Sequence, residues 1–570
     1  MENPTQPLPQ VFPELEDWPI YKLSEDRDAF VKEIDESTTS RIKRKPNQQL
    51  SDILAQTIYL ERIRIKEEPW KVDPPNEDTF WKKMRKRLIT RSLDKNEDEA
   101  RLVNEAILHK IVERYSEEIV GTFKIPTFKF AKKFLTVFFN RLLNTAAGRN
   151  FGRFWGAKHK VSERLKVYGQ INTIRSLMKK GTVVLVPTHF SNLDSILIGY
   201  ALDTVAGLPS FSYGAGLNLY NTGYTAYYMN RLGAYRVDRR KKNPIYLETL
   251  KMMSKLSIER GVNSLFFPGG TRSRSGALET KLKLGLLGTA VEAQRSLYQK
   301  GKDEKVFIVP LILGYHFVLE AGFLIEQHLR STGKENYLKL KDQSYSRWKV
   351  FKFIWKLFSR SSDIILSFGK PMDVLGNFVD EEGNSFDRKK NPVELKEYFI
   401  SDGRVKADAQ REGEYTKILA DRVIERYHKE NLVLSSHLIA FVVFTILLKE
   451  NPTLDLYGVL RLPMKEYEFE YKTVRAALEN LRSHLLEMEE AGKIKLTEIV
   501  RGDLDELIKD GISNLGIFHP RKPLKFNDLG HLESENFRVL YYYHNRLSTY
   551  SLSKHVVWDK SVAAFAKLTV

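Results

Sequence analysis

Apolar positions along the chain change texture twice. Over about 1–165 they recur at helical spacing. EDEARLVNEAILHKIVERYSEEIVG (Glu97–Gly121) is the clearest case, and it ends on a glycine, a usual helix stop. From about 166 to 375 short β-rich runs take over: TVVLV (182–186), SLFF (264–267), VFIVPLIL (306–313) and DIILSF (363–368). Between them lie helical patterns such as YLETLKMMSKLSIERG (246–261), again closed by glycine. Strands alternating with helices of this length predict an α/β fold with a central, mostly parallel sheet and covering helices. Asp380–Asn391, DEEGNSFDRKKN, reads as a polar linker, and beyond it EYTKILADRVIERYHKEN and TVRAALENLRSHLLEMEEAGKIKL return to helix. The expected organisation is a helical region 1–165, an α/β domain 166–375 and a helical region 376–570, with no internal repeat.

The longest apolar stretch, Leu432 to Leu448, is broken by two Ser, a His and a Thr and falls just short of a spanning run. It predicts a buried or interfacial helix. The N-terminus, MENPTQPLPQVFPELEDWP, lacks the basic and apolar regions of a secretory signal. The expectation is a soluble or peripheral protein.

Charge changes this picture. Lys and Arg exceed Asp and Glu by 91 − 72, giving +19, an excess that favours acidic partners. It is uneven: Phe123–Lys160 holds nine cations and no acid, with Ala131, Phe134, Leu135, Phe138 and Leu142 on one helical face. Ser346–Arg360, SRWKVFKFIWKLFSR, again mixes aromatics with five cations and no acid. Such a segment reads as a membrane-surface helix, or as a helix with a core-facing Phe stripe and solvated lysines. There is no Cys, which excludes disulfides, thiolate metal ligands and a Cys nucleophile and suits a reducing compartment.

The central region also carries polar residues where strands end, the edge at which open α/β sheets bind ligands. PTHFSNLDS (187–195) follows the first run and sets His189 five residues before Asp194. That pair is either a capped turn or the start of chemistry. GAYRVDRR (233–240) gathers Arg236, Arg239 and Arg240 around Asp238. FFPGGTRSRSGAL (266–278) places Gly269, Gly270, Thr271, Arg272, Ser273 and Arg274 directly after a strand. There glycine lets backbone N–H groups approach an anion, and guanidinium forks suit phosphate. No Gly-Lys-Ser/Thr follows, so it is not a Walker loop. The last is IVPLILGY (308–315), with Pro310 inside the run.

In this order the four stretches resemble the blocks of the glycerolipid acyltransferase family: an H-x4-D pair, a G-x5-R-like segment, an F-P-E-G-T-R-S-like segment and a V-P-like strand. The continuation R-S-R-S-G, the GYHFVLE of the fourth block, FGKPMDV (368–374) and the long helical flanks look more like glycerol-3-phosphate acyltransferases than the shorter lysophosphatidate enzymes. The family usually has Glu where this chain has Gly269; a nearby residue such as Glu279 would be the compensating carboxylate.

The resemblance implies acyl transfer from acyl-CoA or acyl-carrier protein to glycerol-3-phosphate, with lysophosphatidate or another lysophospholipid as the alternative acceptor. His189 would be the general base, and Asp194 would hold its tautomer. Arg239 and Arg272, with Arg236 and Arg274, would clamp the phosphate. Gly270, Thr271 and Ser273 would add donors, and Pro310 would shape the strand beside the acyl chain. No metal or cofactor beyond the thioester co-substrate is implied, and a peripheral place on the cytoplasmic face of an anionic membrane is. Ser191 or Ser195 as a nucleophile is the chemical alternative. The rival of another class is a non-catalytic membrane or nucleic-acid binder, although no recognised nucleic-acid module is present.

Overall fold

The computed structural model describes residues 7–70, 73–91, 97–147, 165–220, 223–333, 364–516, 519 and 521–558. A seven-stranded sheet forms its centre. The strands are β1 (Leu165–Gly169), β2 (Gly181–Pro187), β3 (Ser212–Gly216), β4 (Ala234–Val237), β5 (Ser264–Leu265), β6 (Lys305–Tyr315) and β7 (Ile364–Phe368). Their order is β1-β7-β6-β2-β5-β3-β4. Strands β2 to β6 are parallel, while β7 pairs antiparallel with β6 and carries β1 parallel to itself at the edge. The expected mostly parallel α/β sheet is present, and the carboxyl ends of β2 to β6 share one edge.

The strongest strands are apolar without alternation because both of their faces are covered. Val183, Leu185, Phe307 and Val309 enter one core, and Val184, Val186, Val306 and Ile308 enter the other. Strands β1, β3 and β4 escaped the sequence pattern. They are short, and LKVYG, SYGAG and AYRV mix glycine, tyrosine and charge.

The helical flanks build onto this sheet. Helices Arg27–Lys43, Asn47–Glu67 and Glu97–Ile119 share a core with Tyr235 and the helix Pro244–Glu259. The last starts at Asn243, whose side chain accepts from Tyr246 N–H, and has Pro244 in its first turn. Gly121, just past the Glu97–Ile119 helix, is glycine for lack of room: a Cβ there would lie 2.0 Å from the Ala234 carbonyl oxygen. On the other side, the helix Ser435–Glu450 is buried from Ser435 to Leu447 and belongs to the same apolar cluster as β2 and β6. Most of the Leu432–Leu448 stretch is thus the buried helix expected, while Leu432–Val433 forms a short strand beside Lys495–Leu496. Among the described residues no helix is long and apolar enough to cross a membrane.

Two expectations fail near the sheet's end. Asp380–Asn391 is not a linker. It lies within a small antiparallel sheet of Phe378–Val379, Ser385–Phe386 and Pro392–Val393. A short internal repeat builds it: Asp373, Asp380 and Asp387, seven residues apart, each accept the backbone N–H of the Asn four residues on. The carboxylate closes each turn locally, so a polar stretch becomes ordered without an apolar pattern.

The basic helix Ile125–Ala147 forms as predicted, with a division of faces. Leu135 packs toward the main core, whereas Phe130 and Phe134 are each 56% exposed and stack on each other at 6.4 Å. The side chains of Phe138 and Leu142, the remainder of that basic segment from 148 to 160, and the whole of Ser346–Arg360 lie outside the described residues.

Candidate active site

Strand β2 ends at Pro187, and the chain turns at once into the helix Asp194–Thr204. The turn folds around one carboxylate. Asp194 is fully buried, and its Oδ2 accepts the N–H groups of Phe190 at 2.7 Å and Ser191 at 3.0 Å. The same oxygen lies 2.7 Å from His189 Nδ1, and Oδ1 accepts the Tyr315 hydroxyl at 2.7 Å. Burial and the neighbouring carboxylate raise the Tyr315 pKa well above its ordinary value, so its O–H remains a donor. Four partners around the buried carboxylate fix its position. The contact with Asp194 occupies Nδ1 and leaves Nε2 as the other ring nitrogen. The imidazole stacks on Phe267 at 4.0 Å and lines a cleft of about 280 Å³.

The glycine-rich segment forms the second wall. Phe267 to Gly270 is a tight turn in which Gly270, at φ +79°, donates its N–H to the Phe267 carbonyl. Ser273 N–H donates to the His189 carbonyl at 2.7 Å, which ties this loop to the His-Asp turn.

Of the residues singled out from sequence, His189, Ser195, Arg239, Thr271, Arg272 and Arg274 line one cleft, joined by Asn192, Phe267, Phe323, Leu324 and others. Loss of solvent, helped by the Arg272 charge, holds the Arg239 guanidinium below its usual range. Arg272 pairs with Glu320 at 3.4 Å.

Other candidates go elsewhere. Arg236 faces Glu118 at 4.0 Å and the Tyr220 ring, in a separate cavity with Lys110 and Arg114. Gly270 spends its N–H on the turn, and Ser273 Oγ donates to the Ala277 carbonyl at 2.8 Å. Pro310 is buried in mid-β6 opposite Val186 and is not part of the cleft lining. Ser191 Oγ donates to Glu320 at 3.1 Å instead of facing His189.

The structure also adds residues that sequence reasoning did not weigh. Glu320 is buried, accepts from Ser191 Oγ and the Asn192 N–H at 3.1 Å, and sits beside Arg272; burial raises its pKa against the pull of that arginine. The only sequence trace of it was the final residue of GYHFVLE. Arg546, from the C-terminal part, is buried over the Phe190 ring at 4.2 Å and donates to the Leu313 carbonyl at 2.6 Å. Burial pushes it down to about 10. Gly276 meets the same C-terminal segment: a Cβ there would lie 2.1 Å from the Tyr542 carbonyl oxygen.

A family model described as Acyltransferase matches residues 164–314, the span from the edge of β1 through most of β6. The expected kinship with glycerolipid acyltransferases holds over this stretch. The chain is similar to a glycerol-3-phosphate acyltransferase of Pseudomonas paraeruginosa (strain DSM 24068 / PA7), 27% identical over 293 residues that cover 51% of this chain and 31% of that protein. It is also similar to one of Shewanella sp. (strain ANA-3), 26% identical over 310 residues, 54% of this chain and 34% of that protein. The chain spans about a third of the length of these curated relatives. The His-Asp turn and the glycine-rich loop both lie within the matched span, whereas Glu320 and Arg546 come from outside it.

Proposed function

We propose that this protein transfers an acyl group from a thioester, acyl-CoA or acyl-carrier protein, to the hydroxyl of glycerol-3-phosphate in glycerolipid synthesis. The observation that carries the reading is one cleft lined by a His189 ring held by Asp194 and by three arginines, Arg239, Arg272 and Arg274. The arginines suit a phosphate dianion, and the two forced into proximity, Arg239 and Arg272, relieve their repulsion when it binds. His189 Nε2 takes the proton of the acceptor hydroxyl as its oxygen attacks the thioester carbonyl. A C–O bond forms, the C–S bond breaks, and the imidazolium returns its proton to the departing thiolate. Asp194 stabilises that imidazolium. No acyl-enzyme is required, and Ser191, committed to Glu320, does not support one. Phe267, Phe323 and Leu324 give the cleft an apolar side for the acyl chain.

The reading includes peripheral attachment to the cytoplasmic face of an anionic membrane. Exposed Phe130, Phe134 and Val137 share the Ile125–Ala147 helix with Lys129 and Lys133, the combination that seats a helix in a lipid interface. The deciding assay crosses acyl-CoA and acyl-carrier-protein donors with glycerol-3-phosphate and lysophosphatidate acceptors. Turnover of glycerol-3-phosphate is expected. Turnover of lysophosphatidate alone reassigns the acceptor, and no turnover of any pair overturns the reading.

A further inference from the structure

We infer that Glu279 is a positioning residue for His189, and that Gly269 and Glu279 form a complementary pair in which the carboxylate enters from position 279 because position 269 leaves it room. This rests on the proposed role of His189. Three hydrogen bonds hold that residue. Asp194 fixes its ring, Ser273 N–H binds its carbonyl, and Glu279 Oε1 accepts its backbone N–H at 3.1 Å. The last two come from one loop, so the glycine-rich segment clamps the His189 backbone from both ends of the residue.

Gly269 is explained by the same contact. Gly270 has a positive φ, but Gly269 does not, so backbone conformation gives no reason for glycine at 269. Space does: a Cβ at 269 would lie 3.2 Å from both Cγ and Oε1 of Glu279. Within a glutamate side chain the Cβ-to-Oε separation is roughly 3–3.7 Å by standard bond lengths. A carboxylate rooted at 269 can therefore reach the spot that Glu279 Oε1 now fills. Only one of the two roots can be occupied at a time. Glu279 is not among the residues lining the cleft, and its Oε2 is buried with no hydrogen-bond partner among the described residues, so it acts through His189 and not on substrate.

The test uses the full chain with Glu279→Ala, Glu279→Gln, Gly269→Glu and the double variant Gly269→Glu/Glu279→Ala. Glycerol-3-phosphate is varied at saturating long-chain acyl-CoA, and the His189 ring resonance is followed by NMR, a readout that needs no turnover. Glu279→Ala is expected to lower kcat about tenfold or more, with the acceptor KM within about twofold, because a displaced base costs rate and not affinity. Glu279→Gln keeps an oxygen acceptor and stays within about threefold of the parent. Gly269→Glu alone loses activity through crowding. The double variant is expected to recover about tenfold over Glu279→Ala, a coupling of the size that contacting residues show. Its His189 resonance should return toward the parent position. A folded double variant no better than Glu279→Ala in either readout overturns the pair. So does a Glu279→Ala protein with unchanged kcat and an unchanged His189 resonance. Absence of transfer in the parent would instead count against the proposed function, and the resonance alone would then decide the pair.

Discussion

Arg236 and Arg239 lie three residues apart and serve different cavities. Arg239 lines the cleft that holds His189, while Arg236 faces Glu118 and the Tyr220 ring. Arg239→Ala and Arg272→Ala should each raise the acceptor KM by roughly 10–100-fold, the worth of a charge-assisted hydrogen bond of about 1.5–3 kcal/mol. Arg236→Ala should leave KM within about threefold, since no cleft contact is lost. Steady-state kinetics at varied glycerol-3-phosphate separate the two. An unchanged KM in Arg272→Ala places the phosphate elsewhere.

His189→Ala should retain its fold and lose on the order of 10³-fold in turnover, within the range assigned to general base catalysis. Asp194→Ala should behave differently. It strips the buried acceptor from two backbone N–H groups, the Tyr315 hydroxyl and the His189 ring, so activity and stability fall together, the latter by about 2–4 kcal/mol. Circular dichroism melts run beside the kinetics distinguish these outcomes.

Phe130 and Phe134 expose more than half of their surface on a helix rich in lysine. Phe130→Glu/Phe134→Glu should weaken binding to vesicles of anionic phospholipid on the order of 100-fold, since each ring contributes roughly 1.5–3 kcal/mol when buried. Melting temperature should not change. Vesicle sedimentation at rising salt checks this, because the lysine contribution is screened and the aromatic one is not.

Burial raises the Glu279 carboxyl to about 7; its own backbone and His189 N–H groups and the Arg546 charge oppose the rise, and the Asp194 charge adds to it. Tyr427 also faces it. The folded-state pKa lies above the ordinary value of 4.5, so the fold favours the protonated form. Stability from this group is present below about pH 4.5 and is lost as pH rises toward 7. Glu279→Gln, which cannot ionise, should therefore be more stable than the parent at pH 8 by roughly 1–3 kcal/mol and similar to it near pH 4.5. Denaturant melts across that range measure the gap. A gap that widens toward low pH contradicts the direction.

Much of the architecture was legible because it rests on short-range pattern. Both-face burial makes β2 and β6 read as unbroken apolar runs, and the helix Pro244–Glu259 announces itself through its apolar spacing and the closing Gly261. Strands β3 and β4 were not legible, since SYGAG and AYRV hold their place by pairing with neighbours and not by their own hydrophobicity. The small sheet at 378–393 was missed for the opposite reason. Its Asp-to-Asn turns are encoded locally, but in polar residues that resemble a linker.

The sequence by itself determined the His-Asp turn, the glycine-rich loop and the apolar strands they follow, because two side chains five positions apart around one turn can meet only in a narrow set of ways. Tertiary structure decided which arginine shares the cleft, and it supplied Glu279, Tyr315 and Glu320 from 90, 121 and 128 positions away in the contacts they make. Such partners leave no periodicity behind. Buried charge is balanced by whatever the folded sheet edge brings near, and that adjacency exists only once the strands have paired.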